Sequence, residues 1–422
     1  MDEPSRATGS LGARRVSDSP VIELIATDPR AARVVLGLFA VQLLMSIRFF
    51  FKYADARPGV LYGLFVVAAL GACGVVLNVR RLLVFFTRPW VFVMGLTSLF
   101  LLVLFAYPRA DALKEVGRGS DQDDCVRTLV GNVFALKEPY GFGYFGDPCS
   151  TGPTEFFVYI PVQVFSQYFV VVPVLSVLLG YWVLNQVTDR PTAIFLSLSQ
   201  FASWLFLELS AVGSDLIVIG WLFAAATVAS RRGMRNGNKA LLVAGGVAYC
   251  LFAGSRVPLI LVGLGSMWVL LIVYRARALR VVLPATVGMA TLYLGSYAVA
   301  PSSFRPWHLV AKSGRIIRYL GGDNPVPLLV LLAAAGAILV ISMRRGDIET
   351  FLDRQYFAAN VALVVLPMAA VAAWDLSRHD FNLAAWEGLG YLFLCVPSLL
   401  VLVSHQLQSA TDRQRQPISE LS

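Results

Sequence analysis

The run Ser120-Asp121-Gln122-Asp123-Asp124-Cys125 gathers three carboxylates in a polar loop between apolar segments. Like charges at this spacing repel, so at least one carboxyl must hold its proton more tightly or recruit a cationic partner. A general base or a metal site needs such a group. The same spacing also suits the start of a helix, with Ser120 or Asp121 as N-cap and Asp123 and Asp124 in the first turn. Both readings stay open for Asp121, Asp123 and Asp124. A divalent cation, Mg or Mn, is the one cofactor these residues suggest.

Positive charge forms the second constellation. Arg305, His308, Lys312, Arg315 and Arg318 lie in one polar stretch, 301–324. Arginine binds phosphate oxygens in pairs, so this stretch suits capture of a phosphate, or contact with anionic lipid headgroups. Arg256 in Gly254-Ser255-Arg256-Val257-Pro258 and His379 in Arg378-His379-Asp380 are further candidates for substrate contact. The bland alternatives are an arginine that snorkels into headgroups and a polar loop histidine. Glu208 and Asp215 bracket a turn beside apolar runs, where acidic residues are costly to keep. Tyr140 and Tyr144 belong to the turn-rich, aromatic stretch 138–148, a possible platform for a sugar or acceptor.

Several chemistries are excluded. The only histidines are His308, His379 and His405, and no pair has metal-ligand spacing. Neither a G-x-S-x-G nor a phosphate-binding P-loop occurs. Gly141, Gly143 and Gly146 fit G-x-G-x-x-G literally, but no strand precedes them and Pro148 follows, which argues against a dinucleotide site. The net charge of +9 is spread over loops without a zinc-finger or helix-turn-helix pattern, so nucleic acid is not an expected partner.

The elements that must hold these residues are membrane helices. Of 422 residues, 57% are hydrophobic and 14% charged, against about 25% charged in soluble domains. A bilayer core needs roughly 20 apolar residues per helix. Runs of that kind at 33–51, 59–78, 90–107, 158–184, 191–211, 215–230, 240–254, 257–274, 281–300, 325–343, 356–374 and 386–404 predict an all-α polytopic protein with about 12 spans. The expected organisation is a disordered cytoplasmic tail, 1–29, a transmembrane domain, 30–404, and a second cytoplasmic tail, 405–422. An N-terminus inside puts Arg80, Arg81 and Arg88, then Arg231, Arg232, Arg235 and Lys239, then Arg275, Arg277 and Arg280 in cytoplasmic loops. The long loop 108–157 then lies outside, with short amphipathic helices: Val126, Leu129, Val130, Val133 and Phe134 have helical spacing over 123–136. Cys125 and Cys149 share that loop, where oxidising conditions favour a disulfide between them.

The pattern resembles the GT-C superfamily of multi-span glycosyltransferases, near the bacterial polyprenyl-phosphate-mannose-dependent mannosyltransferases. The resemblance rests on Ser120-Asp121-Gln122-Asp123-Asp124, then Gly131, Glu138-Pro139-Tyr140, Gly146-Asp147-Pro148 and Gly152-Pro153. It covers about 45 residues and the general span layout. It implies a GT-C-like fold in a bacterial inner membrane, with the active site on the extracytoplasmic face. One of Asp121, Asp123 and Asp124 would act as base. Two extra N-terminal helices would account for a loop that follows the third span here and commonly the first in such enzymes. The implied function is transfer of a sugar from a polyprenyl-phosphate donor to a lipid or glycan acceptor of the cell envelope. A secondary transporter or flippase of lipid-linked saccharides, and a polysaccharide polymerase or ligase, are the alternatives.

Overall fold

Proline and a short polar cap open many of the helices. Pro20, Pro29, Pro58 and Pro89 each stand in the first turn of a helix, where a missing N–H costs nothing. Ser19, Asp28, Asp189, Ser203 and Asn238 accept hydrogen bonds from first-turn backbone N–H groups. The computed structural model describes residues 19–54, 56–116, 120, 122–146, 148–149, 151–163, 168–306, 326–343, 348–367 and 387–415.

Among the described residues the chain is nearly all helical and has no strand, only an isolated bridge between Phe142 and Pro148. The helices are α1 (Pro20–Thr27), α2 (Pro29–Met45), α3 (Ile47–Tyr53), α4 (Pro58–Asn78), α5 (Arg80–Phe85), α6 (Pro89–Ala112), α7 (Gln122–Phe134), α8 (Glu155–Gln163) and α9 (Tyr168–Asn185). They continue as α10 (Arg190–Ser199), α11 (Trp204–Ala211), α12 (Leu216–Asn236), α13 (Lys239–Ser255), α14 (Val257–Tyr274) and α15 (Leu279–Val299). The last three are α16 (Val326–Ser342), α17 (Ile348–Asn360) and α18 (Cys395–Arg415).

Among the described residues six segments are long and apolar enough to cross a bilayer, and a seventh if α10 and α11, bent by 77°, count as one. They point to a membrane protein. Burial sorts them. The segment Leu216–Asn236 is 83% buried over its apolar window, whereas Pro58–Asn78 is 11% buried. Helix α12 is therefore the axis of the bundle, packed against α13, α9 and α18. Its Trp221 is fully buried against Gly180 and donates its indole N–H to Gln200 Oε1 at 3.1 Å. Helices α4, α14 and α15 instead expose Leu64, Val67, Leu261 and Leu294. Apolar surface of that extent is unfavourable in water and suits contact with lipid.

The two tails are shorter than expected. Residues 20–27 of the expected tail 1–29 form α1, whose Val21, Leu24 and Ile25 are buried in the main core. A capped helix of eight residues with apolar side chains on one face docks without needing a long apolar run. The expected tail 405–422 is helical through Arg415, with Leu407 and Thr411 buried and His405 bonded to Asp353. Residues 1–18 and 416–422 lie outside the described residues.

Candidate functional site

Both acidic constellations lie at one end of the bundle, where α6 finishes, α7 and α8 sit, and the turns α11–α12 and α13–α14 arrive. Helix α7 starts at Gln122 and has Asp123 and Asp124 in its first turn, so the helix-start reading of these residues is realised. Val126 and Val130 are buried against Tyr159 of α8 and Val172 of α9, and Leu129 joins the cluster around α12. The first two turns of the apolar face of α7 thus pack on protein, while Phe134 at its end is exposed.

Asp123 is completely buried. The Tyr107 hydroxyl donates to its Oδ2, and Lys114 Nζ lies 3.1 Å from its Oδ1. Burial raises the pKa of Asp123, while the bond from Tyr107 and the charge of Lys114 pull against that rise. Tyr107 stacks on Phe169 with centroids 3.6 Å apart, and the Arg127 guanidinium covers both rings. The α11–α12 turn forms the floor. Gly213 there has φ +66°, and a Cβ would stand 3.1 Å from Cβ of Asp123, so a side chain at this position is strained and crowded.

Asp124 differs in access. Its side chain is 28% exposed, and one oxygen takes a bond from Lys114 Nζ at 2.7 Å. Asp111 also pairs with Lys114, at 2.5 Å. Oxygens of Asp111, Asp123 and Asp124 come within 4.8 Å of one another, a ligand set that a divalent cation could use. The Lys114 ammonium already stands among all three carboxylates, and a metal ion would have to displace it. The donor set does not fit a metal in this arrangement.

A disulfide joins Cys125 to Cys149. Cys149 N donates to Gly141 O and Phe142 pairs with Pro148, a hairpin that the disulfide ties to α7 next to Asp124. Phe142 of this hairpin lies under the Arg305 guanidinium, 5.0 Å from its carbon to the ring centroid. Arg305 is half-buried and its Nε has no hydrogen-bond partner. Tyr144 is exposed and free to form a platform, whereas Tyr140 is buried edge-on against Phe304 and cannot stack on a ligand. Asp121, His308, Lys312, Arg315, Arg318 and His379 lie outside the described residues. Reducing the bridge, or Cys149→Ser, is expected to cost about 3 kcal/mol, read as a lower unfolding temperature than that of the oxidised protein.

The second constellation grows from two interlocked glycine turns. Gly152 N donates to Ser255 O at 2.5 Å, and Thr154 Oγ1 donates to Leu251 O at 2.9 Å. A Cβ on Gly152 would run into the Gly254 carbonyl, and one on Gly254 into Thr154. This close approach seats Glu155 beside Arg256, with Nε 3.7 Å from Oε1. Arg256 also donates from Nε and Nη2 to Asp215 Oδ2, at 2.9 and 2.5 Å. The candidate for substrate contact is thus a buried partner of two carboxylates. Gly152→Ala is expected to destabilise the fold by about 1–3 kcal/mol through overpacking, measurable by denaturant unfolding in micelles.

The other acidic candidate, Glu208, is buried between Arg48 and Lys52, 3.4 Å from each. Tyr107, Asp111, Lys114 and Glu155 were not singled out from sequence. Glu155 carried a usable signal, an acid entering an apolar run, which is the same rule that picked Glu208 and Asp215. Lys114 carried none, since a lysine near a span end normally faces headgroups. No known family, curated protein or solved structure matches this chain.

Proposed function

We propose that the chain is a twelve-span membrane glycosyltransferase of GT-C type in a bacterial inner membrane, transferring a sugar from a polyprenyl phosphate to an extracytoplasmic lipid or glycan acceptor. The observation that carries this reading is the disulfide that ties α7, whose first turn carries the partly exposed carboxylate of Asp124, to the hairpin whose Phe142 lies under the Arg305 guanidinium. A disulfide also suits an oxidising compartment, which supports the extracytoplasmic side.

Asp124 is the proposed base. It takes the proton of the acceptor hydroxyl as that oxygen attacks the anomeric carbon, the bond from carbon to phosphate oxygen breaks, and the configuration inverts. The leaving polyprenyl phosphate gains negative charge, for which Arg305 offers a partner, together with His308, Lys312, Arg315 and Arg318 of the same stretch. Asp123, Tyr107 and Lys114 act as positioning residues, fixing the helix start and the orientation of Asp124. Such a donor needs no nucleotide fold, in keeping with the sequence. The test is incubation of purified protein with radiolabelled polyprenyl-phosphate sugars and membrane lipids. Movement of label to an acceptor supports transfer, and its absence over a broad donor panel defeats it.

A flippase of lipid-linked saccharides is the second reading, favoured by the break between α10 and α11. Gln42, Ser199 and Gln200 are buried there, with Gln42 Nε2 3.4 Å from Ser199 Oγ. Broken helices with polar seams are frequent at transport sites. Movement of intact lipid-linked sugar across vesicles, without transfer, would favour it.

A further inference from the structure

Glu155 opens α8, Asp215 precedes α12, and Arg256 joins α13 to α14. The three side chains meet away from solvent. Glu155 and Asp215 have no exposed surface, and Arg256 has very little. Both carboxylates converge on the same nitrogen, Arg256 Nε, at 2.9 Å for Asp215 and 3.7 Å for Glu155. Neither oxygen of Glu155, nor Oδ1 of Asp215, receives a hydrogen bond.

The charge count is unfavourable as it stands. Two ionised carboxylates are acceptors only and cannot bond to each other, and one guanidinium balances one of them. A buried excess negative charge with orphaned oxygens is a costly state. Among the described residues, the titratable and charged groups facing Glu155 are Asp215, Arg256, Tyr140, Tyr293 and Tyr391. The tyrosines bring no positive charge, so Arg256 is the only cation in this set.

We propose that Glu155 and Asp215 form a proton-binding site, in which one proton is shared between the two carboxyl groups and Arg256 balances the remaining charge. Protonation turns Glu155 into a donor. Both carboxyl groups lie on the same Arg256 Nε, at 2.9 and 3.7 Å, so one O–H···O⁻ bond between them would satisfy an orphaned oxygen on each partner. A metal cation would meet the Arg256 guanidinium at this position, whereas a proton adds the missing charge without needing space. Burial first, and then the neighbouring Asp215, raise the proton affinity of Glu155.

The site pins the start of α8 to α12 and to the α13–α14 junction, and it does so whether or not the chain transfers a sugar. The folded state binds the proton more tightly than the unfolded chain. The stabilisation is therefore complete at low pH and is lost as pH rises through the folded-state value.

Infrared spectroscopy of the full chain in lipid vesicles tests this. The expected result is a protonated-carboxyl C=O band at neutral pH that fades at alkaline pH and is missing in Glu155→Gln. That variant keeps an amide N–H to give Asp215, and its unfolding temperature should decline less between neutral and alkaline pH than that of the parent. Asp215→Asn provides an arm that does not depend on Glu155→Gln folding. With the like charge gone, Glu155 ionises against Arg256 and the band should vanish at neutral pH. A parent spectrum equal to that of Glu155→Gln, or a band that persists in Asp215→Asn, overturns the proposal.

Discussion

Asp124→Asn is expected to lower sugar transfer by about 10²- to 10⁴-fold, the usual share of a general base in a reaction rate, while leaving the protein folded. The substitution keeps the shape of the side chain and removes its ability to take a proton. Lys114 retains Asp111 and Asp123 as partners, at 2.5 and 3.1 Å, and so stays anchored in the cluster. Asp123→Asn separates positioning from chemistry. Its carboxylate is buried beneath the Tyr107 hydroxyl and Lys114, out of reach of an acceptor. That variant should reduce transfer less and lower stability more. Initial rates with labelled polyprenyl-phosphate sugar, alongside unfolding temperatures, distinguish the two. Full activity in Asp124→Asn would remove this residue from the base role.

Much of the scaffold was legible because bilayer thickness sets a length and an apolarity that sequence displays directly. Among the described residues six or seven segments are helical, apolar and long enough to cross a bilayer, where the apolar runs lead one to expect about 12. The spacing of Val126, Leu129 and Val130 gave the buried part of α7, while Phe134 is exposed. Contact across the fold was not legible. Lys114 follows a span end and reads as a headgroup contact, yet it is buried among three carboxylates. Arg256 reads as a candidate for substrate contact or a snorkelling arginine, yet Asp215, far away in sequence, already occupies two of its donors. Periodicity reports which face of a helix is buried and says nothing of which distant charge meets it there. The tails failed for a related reason: α1 is too short and too polar at its ends to stand out, and tertiary packing supplies its stability.

Arg256→Met is expected to be the most destabilising of the substitutions considered, at about 3–5 kcal/mol, because it strips a buried carboxylate of its partner. Asp215 Oδ2 loses two donors at once, at 2.9 and 2.5 Å, and Glu155 loses the only cation facing it in this set. Hydrophobic replacement of both members of a buried pair is often nearly neutral, since neither desolvated charge then remains. The double variant Arg256→Met with Asp215→Leu should therefore regain most of the lost stability, although Asp215→Leu alone leaves Arg256 with only the longer contact to Glu155. Unfolding of the parent, the two single variants and the double variant in micelles closes the cycle. A large favourable coupling identifies the pair as the pin that holds the α11–α12 turn against the α13–α14 junction, directly under α8. Because the α11–α12 turn is also the floor beneath Asp123, loosening it should reach the other acidic cluster through Gly213. Additive losses in the cycle would separate the two clusters and leave Arg256 a packing residue.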